Sequence, residues 1–576
     1  MIAPSRRRAI AGPARPPHAF LGNLPLLALA RRGLPAEATA GTSRTRPKSL
    51  MRNAFALCLL AALLCPLPPA ATQENTAASG SGRPSGIAWF DGSVTDAFAA
   101  ARSARKPVFL YWGAAWCPPC QQLKATVFRR RDFLDRLTLF VPLYLDGDAA
   151  GAQIWGERFG VSGYPTVLVL RDDQTELERV SGGMDLGRYA DVLDLALGQE
   201  HSAQELLASI KGSDDVLPRD DCRRLAFNAW QLQDDWSFRP EALGALAVSL
   251  ERAATRCPSP MRVERSRLRL AALQAALASE HKELLARKHA SDGLTRLLAF
   301  VPDIVSDRDL GLATADELLM LPMEYFSAAA QSDPRHRAQL RARWFALMEA
   351  LRRNPRYAAP DRLDAIRSKL MAAKGLDSAG KIPPALAADA VRQIDAALAQ
   401  EHEPYARSAL VNAALNTLEV LGDDERSRRI LAGEIQTAAN AYYYMADLGE
   451  LEERHGHLDA AIDWLARSYQ EAQGPATRFQ WGVGYVRGLV RMRPQNEAAI
   501  QEAALSVLEE LDAAADLHGR TRHALGTLDA SLRQWNVSAE HVAAVAAVRE
   551  RMRAICSKVP ARDSARVACE DFLRDA

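Results

Sequence analysis

The sequence of 576 residues lacks several features that would point to common protein classes. Only eight cysteines are present, and only Cys117 and Cys120 have Cys-x-x-Cys spacing. No second such pair and no nearby histidine pair supplies the two further ligands of a zinc site. Residues 200–576 also lack a nucleophile elbow, a phosphate-binding loop and a cluster of metal ligands. We therefore expect no bound metal, no cofactor and no second enzyme in that region.

Long apolar runs are missing as well. The apolar stretch 54–64 is shorter than the roughly 20 residues that span a bilayer, so no permanent membrane span is expected. It follows Met51 and leads into a segment rich in Pro and Ala, which is typical of a secretory signal peptide. We predict a signal peptide at 51–72, translation from Met51, and a periplasmic or secreted protein. Lipid anchoring at Cys65, which ends the apolar run, is the alternative.

Acidic residues are scarce at the N-terminus. Glu37 is the only one in residues 1–50, which contribute +8 to the net charge of +2, so the rest of the chain carries −6. A mildly acidic protein does not suit a nucleic-acid partner. We interpret residues 1–50 as a non-native extension of the gene start, with a basic disordered tail as the alternative.

The full sequence is 48% hydrophobic and 25% charged, as in globular proteins of several domains. Residues 73–86 show no apolar periodicity and are predicted to form a linker. Residues 87–199 alternate between strand and helix patterns, which predicts a small α/β domain. The expected strands are 108–112, 137–145 and 166–170, and the expected helices are 96–105, 120–128 and 150–159. From 200 onwards Ala, Leu, Glu and Arg dominate without a strand pattern, and we expect α-helical regions at 200–400 and 401–576.

Residues 116–120 are Trp-Cys-Pro-Pro-Cys and precede a predicted helix. Disulfide exchange needs one thiolate to attack and a second thiol to release the mixed disulfide. A helix N-terminus stabilises negative charge, so we assign Cys117 as the exposed attacking sulfur. Cys120, one turn further, is expected to be the buried resolving sulfur. Pro118 and Pro119 restrict the loop between them. An inactive structural disulfide and half of a metal site are the alternatives.

The segment from Ile87 to about Leu197 resembles the thioredoxin superfamily. Trp116 and the cysteine pair lie between a strand and a helix, and a Gly-x-Pro-Thr element follows 45 residues after Cys120, with Gly182-Gly183 further on. The resemblance covers about one fifth of the chain. It implies an α/β thioredoxin fold and thiol–disulfide exchange with protein thiols or disulfides, together with a redox partner protein.

By this resemblance Pro165 is a cis proline opposite the cysteines, since a cis X-Pro bond costs only about 0.5–1 kcal/mol. The backbone of Tyr164 and the neighbouring Thr166 would then contact a substrate peptide. Typical cytosolic thioredoxins bury an acid behind the site, whereas the aligned residue here is Tyr111. Proton transfer from Cys120 must therefore use another group or water. The flanking sequence is more similar to secreted thioredoxin-like proteins, which favours a specialised partner.

The C-terminal helical region has an internal signal of its own. Two helix–turn–helix units have turn glycines, Gly422 and Gly456, 34 residues apart, which is the period of a tetratricopeptide repeat. Two units are fewer than a stable array needs, so we predict a degenerate, tetratricopeptide-like region. Chance spacing in an alanine-rich chain is the alternative. The aromatic residues 442–444 and Trp464 either line a peptide groove or pack between helices.

Four further cysteines remain after the predicted signal peptide is removed. In an exported protein an even number suggests disulfides. Cys222 and Cys257 lie in helices that an antiparallel hairpin would bring together, and Cys556 and Cys569 flank a Pro-containing break. We predict these two pairs as structural disulfides, with buried free thiols as the alternative.

The function that accounts for these features is an exported thiol–disulfide oxidoreductase whose helical region selects or docks its protein partner. The alternative is a helical-repeat binding or scaffold protein whose thioredoxin fold is a recognition surface with little turnover.

Overall fold

The computed structural model describes residues 82–574 except 162, 181–188, 213–214, 231–239, 282–283, 285–289, 512–516, 561–562 and 564. The predicted extension 1–50, the signal peptide 51–72 with Cys65, most of the linker 73–86, and Gly182-Gly183 lie outside the described residues.

A small α/β unit comes first in the described chain. Its elements are α1 Val94–Ala104, β1 Val108–Gly113, α2 Pro118–Ala125, α3 Arg131–Leu137, β2 Val141–Asp146, α4 Ala152–Arg158, β3 Thr166–Leu170, β4 Glu176–Val180 and α5 Tyr189–Ala196. Helix α1 begins at Ser93, whose hydroxyl accepts from the Asp96 N–H while the Asp96 carboxylate accepts from the Ser93 N–H. The predicted second strand begins four residues late, because 131–137 is helical.

The four strands form one mixed sheet in the order β2-β1-β3-β4. Strands β1 and β2 are parallel, with Leu110 opposite Leu143, whereas β3 is antiparallel to β1 and to β4. Alternate residues of β1 point to opposite faces. Leu110 and Trp112 pack with α1 and α4 on one face, and Phe109 and Tyr111 pack on the other.

Helices account for the regular structure of the chain described after residue 200. They are α6 Ala203–Ser209, α7 Arg219–Phe227, α8 Pro240–Arg256, α9 Arg262–Ser279, α10 Asp292–Ala299, α11 Val301–Ser306, α12 Arg308–Ala313, α13 Ala315–Leu319, α14 Met323–Ala329, α15 Pro334–Arg352, α16 Ala359–Gly375, α17 Pro384–Gln400, α18 Pro404–Leu421, α19 Asp424–Thr437, α20 Ala441–Arg454, α21 Leu458–Glu471, α22 Pro475–Met492, α23 Glu497–Glu509, α24 Gly519–Trp535, α25 Val542–Cys556 and α26 Ala565–Asp571. The predicted fold class, an α/β unit followed by a large helical region, is confirmed. Of the described helices, none is sufficiently long and apolar to traverse a lipid bilayer.

The sheet and the first part of the helical region share one hydrophobic core. The sheet face that carries Phe109 and Tyr111 belongs to the same buried cluster as Leu250, Trp344 and Leu418. A second cluster, from Tyr469 to Leu573, stabilises the last helices. The α/β unit is therefore embedded in the helices through one whole face of its sheet.

The two predicted turn glycines end helices in the left-handed conformation. Gly422 has φ 72° and follows α18, and Gly456 has φ 78° and lies between α20 and α21. Glycine adopts positive φ without the steric cost of a Cβ. The helix pairs α18–α19 and α20–α21 thus exist, and their assignment to a degenerate tetratricopeptide repeat stays a prediction.

Candidate active site

The N-terminus of α2 positions the cysteine pair. Cys117 is the N-cap, and its Sγ accepts a hydrogen bond of 3.1 Å from the Cys120 N–H. Pro118 and Pro119 occupy the first helical positions, where a missing N–H costs no intrahelical hydrogen bond. The structure joins Cys117 and Cys120 in a disulfide with a Cα–Cα distance of 5.2 Å.

Both sulfur-bearing residues are buried. Cys117 is only 2% exposed and Cys120 is 0% exposed, so the expectation of an exposed Cys117 was wrong. The physical reason lies far along the chain, because Tyr442 and Ala472 pack in the same apolar cluster as the two cysteines. The helical region therefore covers the disulfide itself.

Trp116 connects the cysteine loop with this covering surface. Its Nε1–H donates to Asp148 Oδ2 at 2.7 Å and to Thr477 Oγ1 at 3.0 Å. Its ring stacks on Tyr443 with centroids 5.8 Å apart, and meets Trp481 edge-on at 4.9 Å. The predicted supporting role of Trp116 thus has a specific geometry, in which both halves of the protein hold the indole.

The Tyr164–Pro165 peptide bond is cis. Tyr164 packs beside the cysteines, and its hydroxyl donates to Asp148 Oδ1 at 3.3 Å. The Thr166 hydroxyl donates to the Gly163 carbonyl at 2.9 Å and is buried at the start of β3. The structure thus brings together the cysteine pair and the Tyr-Pro-Thr segment, as the sequence implied.

Asp148 is a site residue that the sequence analysis missed. It accepts hydrogen bonds from Trp116 and Tyr164 and is 9% exposed. Burial, reinforced by the negative charge of Asp146, raises the pKa of Asp148 to about 6. The spacing of acids after β2, Asp-Gly-Asp at 146–148, was the available sequence signal. Asp148 therefore holds Trp116 and Tyr164, the two aromatic side chains that pack beside the disulfide.

Tyr111, which aligns with the buried acid of cytosolic thioredoxins, packs against another aromatic ring. The Tyr111 ring stacks against Tyr144 at 5.5 Å, and burial raises the pKa of its hydroxyl far above the usual value. Lys124, four residues after Cys120 and thus on the same helix face, is 4% exposed. Burial lowers its pKa to about 8, although the nearby Asp146 opposes this shift. Lys124 is therefore a buried amine one helical turn after Cys120.

Polar contacts from the helical region reach the backbone of the cysteine loop. The Asn440 side-chain amide donates to the Ala115 carbonyl at 2.9 Å, and Gln121 donates to the same oxygen. On the opposite side, the Arg520 guanidinium lies 4.3 Å above the Tyr164 ring. Through these contacts the helical region holds the cysteine loop in place.

Two further contacts anchor the α/β unit at a distance from the sulfurs. The Gln122 amide donates to Asp361 Oδ1 at 2.7 Å, and burial raises the pKa of Asp361 to about 7. On α4, the Glu157 carboxylate accepts from the Gly519 N–H at 3.2 Å and pairs with Arg522 at 2.7 Å. Burial opposes ionisation of Glu157, but Arg522, the Gly519 N–H and His518 together lower its pKa.

The remaining predicted cysteines lie apart from this site. The structure joins Cys222 to Cys257, with a Cα–Cα distance of 5.7 Å, and Cys556 to Cys569, with 5.6 Å. Trp464 lies outside the apolar cluster of the cysteines, with Arg467 over its ring at 4.6 Å. Tyr442 and Tyr443 contact the cysteine loop, whereas Trp464 packs with Tyr443 and Tyr444 in a neighbouring apolar cluster.

Comparison with known proteins identifies the first unit. Residues 94–197 match the family model of the thioredoxin-like domain. No curated protein matches the chain. The match covers the strands, the cysteine loop and the cis proline described above.

Proposed function

From the thioredoxin-like domain at 94–197, we propose that this protein is an exported thiol–disulfide oxidoreductase that acts on protein thiols and disulfides. The observation that carries the proposal is the disulfide between Cys117 and Cys120 at the start of α2, beside the cis Tyr164–Pro165 bond. Trp116 and the two prolines of the loop support the sulfurs, and the protein chain supplies all of the chemistry.

The reaction transfers two electrons and two protons. In the reducing direction, the Cys117 thiolate attacks a substrate disulfide, which forms a mixed disulfide and releases one substrate thiolate that takes a proton. The Cys120 thiolate then attacks Cys117 Sγ, which restores the Cys117–Cys120 disulfide and releases the second substrate thiol. A dithiol protein partner returns the pair to the reduced form. The oxidising direction is the reverse of these steps.

Two features of the described residues support this chemistry. The Cys117 sulfur accepts the N–H of Cys120 at the N-terminus of α2, where this hydrogen bond and the helix dipole favour a thiolate. The amine of Lys124 lies one helical turn after Cys120, and burial lowers its pKa to about 8, so we propose it as the group that accepts the Cys120 proton. Lys124 thus replaces the missing acid at the position of Tyr111.

The proposal places the protein outside the cytoplasm. The signal-peptide pattern at 51–72 and the two disulfides Cys222–Cys257 and Cys556–Cys569 support this location, because disulfides persist in oxidising compartments. N-terminal sequencing of the native protein tests it. A first residue near 71–73 is expected, and an intact segment 1–50 would contradict both export and translation from Met51.

The activity is tested with two cysteine variants. Cys117→Ser should abolish reduction of insulin or a small model disulfide, because no attacking sulfur remains. Cys120→Ser should instead accumulate mixed disulfides with protein partners, because the resolving thiol is absent. Normal turnover by Cys117→Ser would disprove the oxidoreductase.

The burial of the disulfide favours a second candidate function. A protein whose cysteine pair stays covered would serve as a helical binding or scaffold protein with little turnover. The two functions differ in the Cys120→Ser experiment, since a scaffold traps no partner through Cys117.

A further inference from the structure

The residues that cover the cysteine pair form a defined surface of the helical region. We name it the cover, and it comprises Asn440, Tyr442, Tyr443, Ala472, Thr477 and Trp481. These residues lie on α20, on α22 and just before these two helices. With the cover in place, both cysteines are almost inaccessible.

Thiol–disulfide exchange requires a third sulfur to reach Cys117 Sγ. The Asn440 amide also bonds the Ala115 carbonyl of the cysteine loop. The Trp116 indole is held by Thr477 and stacked on Tyr443. In the closed arrangement described here, the substrate's place is therefore occupied by the protein's own helices.

We propose that the cover is an intramolecular inhibitor of the cysteine pair, and that it must move away before a protein substrate can exchange with Cys117. This inference rests on the proposed oxidoreductase function. It changes the expected role of the helical region, which blocks the site in addition to any docking of a partner.

The packing of the cover suits a reversible opening. The buried residues of the cysteine cluster belong to neither of the large clusters, although Trp481 also packs against the cluster of the last helices and Tyr443 against that of α18 to α20. Separation at this surface breaks the hydrogen bonds of Asn440 and Thr477 and a few aromatic contacts.

Substitution of Gly474 is an independent way to destabilise the closed arrangement. It has φ +82° and precedes α22, and a Cβ built there would lie 2.8 Å from the Asp148 carbonyl oxygen. Real side chains do not approach a carbonyl this closely, so the helical region and the loop after β2 must separate if alanine replaces this glycine. Gly456, with φ +78° and open space around its Cβ position, provides the control that is matched in backbone conformation.

The test measures how fast dithiothreitol reduces the Cys117–Cys120 disulfide in the full-length oxidised protein. Samples are quenched with acid, and the cysteine-containing peptides are quantified by mass spectrometry. Trp481→Ala and Gly474→Ala should accelerate this reduction at least tenfold over wild type. Trp535→Ala, which removes a ring stacked on His541 and not on the cover, and Gly456→Ala should leave it unchanged. The Cys222–Cys257 disulfide in the same samples reports global unfolding and should react equally slowly in every variant.

The same variants are assayed for insulin reduction, so that the two proposals fail separately. Faster reduction of the Cys117–Cys120 disulfide alone, together with faster insulin reduction, supports both the cover and the oxidoreductase. Selective acceleration without turnover in any form supports the cover and rejects the oxidoreductase. Equal reduction rates in wild type and cover variants overturn the cover, as does a wild-type rate equal to that of a small linear disulfide. If Trp481→Ala does not fold, Asn440→Ala takes its place, because it removes only a single hydrogen bond. It should likewise accelerate reduction of the Cys117–Cys120 disulfide and leave the Cys222–Cys257 disulfide unaffected.

Discussion

Replacement of Asp148 by asparagine gives the sharpest test of the electrostatics around the cysteine loop. Burial raises the pKa of this carboxyl to about 6 from 3.8, so the folded protein binds its proton more tightly than the unfolded chain does. The carboxylate form therefore destabilises the folded state at neutral pH, by about 3 kcal/mol at 1.36 kcal/mol per pKa unit. Asparagine has the shape of the neutral acid and retains an oxygen that can accept from Trp116.

The sign of the pH dependence follows directly. Because the folded pKa is the higher one, the stability of wild type falls as pH rises from about 4 to about 6 and then stays constant with respect to this group. Asp148→Asn removes this decrease. At pH 7.5 the variant should be more stable than wild type by up to about 3 kcal/mol, and near pH 4 the two should be equal.

Urea unfolding followed by tryptophan fluorescence, at intervals between pH 4 and pH 8, measures the difference. Other buried acids titrate in the same range, so the difference between variant and wild type is the informative quantity. The exposed Asp135→Asn is the matched control and should follow wild type at every pH. A constant difference across the pH range, or a variant less stable at pH 7.5, would refute the assignment of a buried, charged Asp148.

Three further predictions concern stability. Lys124→Met should stabilise the protein at pH 7 by up to about 3 kcal/mol, because burial lowers the pKa of this amine from 10.5 to about 8. In urea titrations the stability of wild type should rise between pH 8 and pH 10, whereas the stability of the variant should not. Replacing Cys222 and Cys257 by alanine together should cost about 3–4 kcal/mol, since the disulfide closes a separation of 35 residues, and thermal unfolding without reductant measures the loss. Gly482→Ala should destabilise the folded protein by about 1–3 kcal/mol, because the new Cβ would lie 2.5 Å from a methyl group of the neighbouring helix. Gly484→Ala should not destabilise it, and an equal effect of the two substitutions on the melting temperature would contradict this packing.

The sequence by itself determined the local elements that have a strong local cause. The buried run 108–112 is a strand because it is β-branched and aromatic, and the helix after Cys117 starts where two prolines fit its first turn. The thioredoxin-like unit at 94–197 was identifiable because its cysteine pair and Pro-Thr element keep a fixed spacing. Strand β4 was not predicted, because its sequence Glu-Leu-Glu-Arg-Val is polar and two of its charged residues, Glu178 and Arg179, are nevertheless buried. In the folded protein Glu178 pairs with Arg224 at 2.5 Å, and Arg179 pairs with Glu176 at 2.8 Å.

Only the tertiary structure decided that the cysteine pair is covered. Helical periodicity shows that one face of a helix is buried, but it does not show which surface buries it. Asn440 and Thr477 lie more than 300 residues from the loop that they contact, as the sequence separations of their hydrogen bonds to Ala115 and Trp116 show. The raised pKa of Asp148 has the same origin, because its burial arises from contacts between segments that are distant in the chain. The reactive residues are thus encoded locally, whereas their accessibility and charge depend on long-range packing.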